Sequence, residues 1–202
     1  MCGRYSLLHS WEEVVGLYRL TDTGFRPNLS PRLDIRPTTD ILAIHDGGAG
    51  FMRWGFERNW SKGPLINAKA EGVAEKPTFK DGFQNRRCLI PASGFYEWAT
   101  IEGRVKQRYY ITSISDELLT FAGLWESKDG VESCTIITTT PNDVVKPIHS
   151  RMPAVLAPED WDAWLAEPRL DILKPAPVDD MIAYRVRSDI KDDGPLDQLE
   201  QV

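Results

Sequence analysis

The sequence predicts an α+β domain in which strands outnumber helices. Three observations predict it. Runs rich in Tyr, Ile, Val, Thr and Phe recur along the chain, at 87–90, 94–98, 106–112, 118–125 and 134–139. Only a few stretches carry a helix start. Fourteen prolines and fifteen glycines interrupt the 202 residues without forming a linker or repeat.

Taken in order, residues 2–8 (CGRYSLL) read as a first strand. Ser10 with Glu13 three residues on is a capping box, which opens a helix to about Leu20 with Trp11, Val14, Val15 and Tyr18 on one face. Residues 22–38, with Pro27, Pro31 and Pro37, read as turns. Runs 41–45 and 50–54 flank Asp46-Gly47-Gly48-Ala49 and predict a hairpin. Residues 68–84 read as short helical turns around Pro77, and Arg87–Ile90 and Gly94–Trp98 as strands on either side of Pro91. Pro158 followed by Glu159 and Asp160 predicts a helix start, because proline suits the first turn and acids suit the dipole there. Residues 181–187 read as a last strand.

Hydrophobic residues make up 42% and charged residues 27% of the chain, a globular composition over a length that fits one domain. The net charge of −6 argues against nucleic-acid binding, but it hides an asymmetry. Residues 1–110 carry 16 Lys and Arg against 12 Asp and Glu, whereas residues 111–202 carry 8 against 18. A basic face and an acidic remainder are expected. Three cysteines, Cys2, Cys88 and Cys134, without a C-x-x-C pair point to a reducing compartment and no disulfide framework. No apolar run approaches the length of a membrane span and no signal peptide is visible, so a cytoplasmic protein without a membrane partner is expected. The three histidines are too scattered for a zinc site, and no metal or cofactor is expected. Phosphate-binding glycine loops and the G-x-S-x-G elbow are absent.

Four segments carry candidate chemistry. Cys2 follows Met1, and removal of that methionine would leave an amine and a thiol on adjacent carbons. The α-amine titrates near pH 8, so a useful fraction is nucleophilic at neutrality. With an aldehyde it gives a Schiff base, which the thiol closes to a five-membered thiazolidine. The other reading of Cys2 is a plain strand cysteine behind a retained methionine, and the residue alone leaves both open. Asn67-Ala68-Lys69-Ala70-Glu71 offers an amide that can orient a polar group and a cation for a phosphate, or else a capping turn. In the segment from Arg86 to Trp98, Glu97 lies among aromatics that would raise its pKa, or it is a solvated strand residue. Arg86 and Arg87 are either a solvated face or phosphate contacts. His149, in Ile148-His149-Ser150-Arg151-Met152-Pro153, is a candidate acid or base, with Arg151 a phosphate candidate. Trp54 and Trp60 either pack or stack on bases, and His9 and His45 read as surface residues.

Together these blocks resemble the SOS-response-associated peptidase family of abasic-site DNA–protein crosslinking proteins. Met1-Cys2-Gly3-Arg4-Tyr5, Asn67 through Pro77, Arg86 through Trp98 and His149 through Pro153 carry the likeness, which spans residues 2 to about 195. The resemblance implies one domain over 1–202, built of twisted sheets or an open barrel with a few short helices. It implies covalent capture, through Cys2, of the ring-opened sugar aldehyde of an abasic site in single-stranded DNA during the DNA damage or SOS response. Asn67, Glu97 and His149 fall on its catalytic positions. Arg4, Trp54, Lys69, Trp98 and Arg151 fall on DNA-contacting positions. Single strands, or single–double strand junctions at stalled forks, are the implied target, and the size and the lack of a coiled-coil pattern lead to the expectation of a monomer. Lys69 stands where the family commonly has Arg, Asp34 where it has Asn, and Arg36 precedes Pro37. The alternative is a thiol peptidase or N-terminal-nucleophile amidohydrolase, a hydrolase using Cys2, His149 and Asn67.

Overall fold

The first helix shows how local chemistry sets the frame. Ser10 Oγ accepts from the Glu13 N–H at 3.3 Å, and the Glu13 carboxylate accepts from the Ser10 N–H at 2.7 Å. This capping box starts α1 (Trp11–Tyr18), which buries Val14. Arg19, left-handed at φ 51°, ends α1 just short of the expected Leu20. A computed structural model describes residues 2–20, 26–46, 48–101, 103, 105–115 and 117–201; residues 21–25 of the expected turn region and Gly47 of the expected hairpin lie outside them.

The strands are β1 (Tyr5–Leu7), β2 (Arg32–Ile35), β3 (Asp40–His45), β4 (Gly48–Trp54), β5 (Asn67–Lys69), β6 (Arg87–Ala92), β7 (Gly94–Ile101), β8 (Val105–Ser113), β9 (Leu119–Lys128), β10 (Val131–Thr139), β11 (Met152–Pro153) and β12 (Met181–Arg185). Two further helices are α2 (Pro77–Asn85), with its proline in the first turn, and α3 (Trp161–Ala166). The α+β class holds. The expected start at Pro158 is a 3₁₀ turn, Pro158–Asp160, that runs into α3.

Five strands pair in the order β12-β8-β7-β1-β2. The second sheet runs β11-β10-β4-β3-β6-β9, and β9 also pairs with β10 from Val131↔Lys128 to Ile136↔Gly123. That last pairing closes β10-β4-β3-β6-β9 into a barrel, where an open one was expected. β5 runs parallel to β10 beyond the end of β4, pairing Ile136↔Asn67 and Thr138↔Lys69. Tyr5, Trp54, Phe95, Phe121, Ile136 and Ile137 belong to one buried cluster that joins the two sheets.

The crossing from barrel to sheet is the step that matters for function. β6 continues through Pro91, where the β3 partner has already ended at Ile44↔Leu89, so the missing N–H breaks no ladder. Ser93 alone separates β6 from β7. Gly94 then lies against the Tyr110 ring, where any Cβ would collide with the ring carbons and hydroxyl. This close approach aims β7, and Glu97 with it, between β1 and β8. The expectation of turns over 22–38 missed β2, whose four residues sit between Pro31 and Pro37. Asp34 and Ile35 are buried there by pairing with β1.

Candidate functional site

Cys2 sits at the mouth of β1. It has no exposed surface, and its Sγ–H points to the Arg4 carbonyl at 3.7 Å. That carbonyl also accepts from the Tyr96 N–H at 2.9 Å, which ties the start of the chain to β7. Burial pushes the Cys2 thiol up, and the charge of Glu97 adds to the shift. Cys2 thus lies ahead of β1, as a buried thiol that feels the charge of Glu97.

Glu97 is 3% exposed on β7 opposite Tyr109. Burial raises its pKa to about 7, so at neutrality it is shared between acid and carboxylate. Its Oε1 lies 3.8 Å from Nδ1 of His149.

A one-turn device positions His149. Asn142 Oδ1 accepts from the Val145 N–H at 3.0 Å, and its Nδ2 donates to the Ala176 carbonyl at 3.1 Å. The turn closes when the His149 N–H donates to the Val145 carbonyl at 2.9 Å. Nδ1 of His149 then meets the Arg151 backbone twice, 3.0 Å from its N–H nitrogen and 3.2 Å from its carbonyl oxygen, so the backbone pins the ring while the tautomer sets whether Nδ1 accepts or donates. Burial, with nearby positive charge including Lys106, holds the His149 pKa below its ordinary value.

A second group borders this one. Asn67 leads β5, and among the described residues neither Oδ1 nor Nδ2 of its side chain has a hydrogen-bond partner although both atoms are buried. Lys69 is exposed two residues on. Arg151 forms a two-pronged ion pair with Glu71 and donates to the Thr138 carbonyl. Thr138 pairs with Lys69 and with Pro153, so β10 joins the two segments. The Arg151 pair holds the Glu71 carboxyl below its usual range.

The remaining residues divide plainly. Arg4 lies against Asp34. Trp98 is half-buried near the Arg108 guanidinium. Trp54 is fully buried, edge-on to Tyr5, with Nε1 donating to the Ile66 carbonyl at 3.0 Å, and it has no face open to a base. Trp60 is the exposed tryptophan, at 71%. Arg87 is neither a solvated residue nor a phosphate contact. It is buried and donates to the carbonyls of Phe83, Gln84, Trp164 and Leu165, closing the C-terminal ends of α2 and α3. Arg86 pairs with Asp81. The sequence marks Arg36 only as a departure before Pro37 and does not mark Arg108, yet both guanidinium groups meet on Asp34. All three cysteines are free. Among the described residues no helix is long and apolar enough to cross a membrane, and no cluster of three or more His, Cys, Asp or Glu could hold a metal.

Residues 1–193 match the family model described as SOS response associated peptidase (SRAP). The abasic site processing protein YoqW of Bacillus subtilis is 35% identical over 208 residues, covering 93% of each chain. The abasic site processing protein YedK of Escherichia coli is 28% identical over 179 residues, covering 83% of this chain and 80% of its own. A crystal structure of a protein from Bacteroides thetaiotaomicron covers 100% of both chains at a TM-score of 0.87 and 24% identity, a likeness of fold. The chain belongs to the SOS response associated peptidase (SRAP) family.

Proposed function

We propose that this protein captures abasic sites in single-stranded DNA covalently through Cys2. The observation that carries the reading is Glu97, a buried carboxyl poised near pH 7 that lies 3.8 Å from His149 and whose charge acts on the Cys2 thiol. Removal of Met1 frees the Cys2 amine. That amine adds to the aldehyde of the ring-opened sugar, and loss of one water gives the Schiff base. The thiol then adds across the C=N bond: the S–C bond forms, and the thiol proton passes to nitrogen. Each step moves a proton at or near neutrality, which suits a group with the pKa of Glu97. His149, held neutral by burial, turns its Nε2 to a sugar oxygen as a hydrogen-bond partner. Asn67 offers an unused donor and acceptor to orient the sugar or the amine. Lys69 and Trp98 hold the strand beside it by charge and by stacking. The relatives named for abasic site processing support this substrate class. The target is a lesion in single-stranded DNA, including junctions at stalled forks, and the acting species is a monomer.

A thiol peptidase would need a thiolate held by an imidazole. Here burial opposes the thiolate, and His149 Nδ1 is engaged with the Arg151 backbone. The deciding experiment incubates the protein with an oligonucleotide bearing one abasic site, followed by denaturing electrophoresis and mass measurement of the adduct. A covalent species lacking Met1 and heavier by the oligonucleotide less one water is expected. Absence of any denaturant-stable adduct, or an adduct on protein that retains Met1, would refute the mechanism.

A further inference from the structure

We propose that Arg4 and Arg36, both anchored on the buried carboxylate of Asp34, form a clamp for one phosphodiester of the strand next to the captured sugar. The clamp rests on the reading of this protein as a DNA binder; the resemblance already sets Arg4 on a DNA-contacting position, and what is new is Arg36 and the shared anchor on Asp34. The Asp34 side chain is fully buried and carries three arginines. Arg108 Nη2 donates to Oδ1 at 2.5 Å. Arg4 Nη1 donates to Oδ2 at 2.5 Å, and Arg36 donates to the same oxygen from Nε at 2.9 Å and from Nη2 at 2.7 Å. The neighbouring Arg32 is cancelled by Asp192, which also accepts from the Asp34 N–H. One negative charge therefore faces three positive ones, a surplus of two.

That surplus has one way out. Arg108 is sealed, its guanidinium 3.8 Å from the centre of the Tyr96 ring. The side chains of Arg4 and Arg36 are 29% and 55% exposed. Among the described residues, Arg4 spends only Nη1 on the protein, leaving Nε and Nη2, and Arg36 leaves Nη1. Two guanidinia, each fixed through one edge and open along another, match the paired oxygens of a phosphate. Asp34 contributes by fixing their geometry in advance, so little side-chain freedom is lost on binding. Burial alone would raise the Asp34 pKa, yet the hydrogen bonds from Arg4 and Arg36 and the charge of Arg108 hold it below the usual carboxylate range, so the anchor stays charged. Arg4 is two residues from Cys2, and its carbonyl faces the Cys2 thiol. The clamped linkage is therefore one adjoining the reacting sugar.

The test replaces each phosphodiester near the lesion, one at a time, by an uncharged methylphosphonate. Equilibrium binding is read on strands with a non-reactive abasic analogue, and crosslinking is read separately on reactive ones. For the wild-type protein one adjoining linkage should stand out, with a binding loss of about tenfold. In Arg36→Gln that linkage should lose its special penalty, and the slope of log affinity against log salt should fall by about 0.7. Arg36 is largely exposed, so the fold should survive. Asp34→Asn removes the anchoring charge and should erode the same linkage-specific penalty, where a purely structural effect would lower the melting temperature and leave the penalty intact. Equal penalties at all linkages, or an unchanged pattern in Arg36→Gln, would overturn the clamp even if crosslinking succeeds. A linkage-specific loss that Arg36→Gln removes, without any crosslink, would uphold the clamp and overturn the covalent mechanism.

Discussion

Nδ1 of His149 lies 3.8 Å from Oε1 of Glu97, beyond hydrogen-bond length, while the Arg151 backbone engages the same nitrogen from 3.0 Å. The two side chains are therefore neighbours with separate duties. His149 is pinned by the Arg151 backbone and its pKa is held below the ordinary value. Glu97 is the group whose ionisation is balanced at working pH. Environments that push two titratable groups apart in this way leave them in different protonation states at one pH.

That balance has a stability signature. The folded pKa of Glu97 is raised from 4.5 to about 7, so the folded state binds its proton more tightly than the unfolded chain does. Stability from this group is fully present below about pH 4.5 and is lost as pH rises through 7. Glu97→Gln should thus be more stable than wild type at pH 8, by up to about 3 kcal/mol, with the margin vanishing near pH 4.5. Urea denaturation at several pH values measures it. The same variant should lose the step near pH 7 in the rate of crosslinking.

Asn67→Ala should separate function from stability in another way. The amide of Asn67 is buried without hydrogen-bond partners among the described residues, so its removal leaves nothing newly unsatisfied. Stability should change by less than about 1 kcal/mol. Crosslinking should slow by about 100-fold if the amide orients the reacting groups. A large fall in melting temperature with an unchanged rate would assign Asn67 to the framework instead.

Candidate chemistry was legible in the sequence as residue types only: Cys2 and Glu97 each stood beside a structural reading, and neither the burial of Glu97 nor its approach to His149 could be read there. The α1 boundary was legible too, since Ser10 and Glu13 settle it within one turn. Long-range placement was not legible. Asp34 meets Arg4 across 30 residues and Arg108 across 74, and nothing local announces either pairing. β2 was hidden because its pattern spans four residues between two prolines. Barrel closure depends on β9 finding both β6 and β10, a matter of register that no single segment encodes.

Arg87 illustrates the same limit and yields a prediction of its own. Its four carbonyl partners lie on the ends of two helices, and its side chain has almost no exposed surface. Arg87→Gln should destabilise the fold by about 3 kcal/mol, since buried carbonyls lose charged donors. Below its melting temperature the variant should bind single-stranded DNA with the wild-type salt slope. A shallower slope would restore Arg87 as a phosphate contact.

The order of covalent events can be read from two substitutions at one position. Burial opposes the Cys2 thiolate, so the amine, not the sulfur, should attack first. Cys2→Ser keeps a small second residue, hence removal of Met1, and it keeps the α-amine. It should form the Schiff base and be trapped by borohydride at a yield close to wild type. Without the reductant little adduct should survive denaturation, because the hydroxyl closes a far more labile ring than the thiol does. Cys2→Ala also keeps the amine, and should behave like Cys2→Ser with borohydride and give no stable adduct without it. Both variants should bind the non-reactive abasic strand within about twofold of wild type, as neither alters a charge. If neither variant is trapped while wild type crosslinks fully, sulfur attacks first, and the Cys2 amine is not the leading nucleophile.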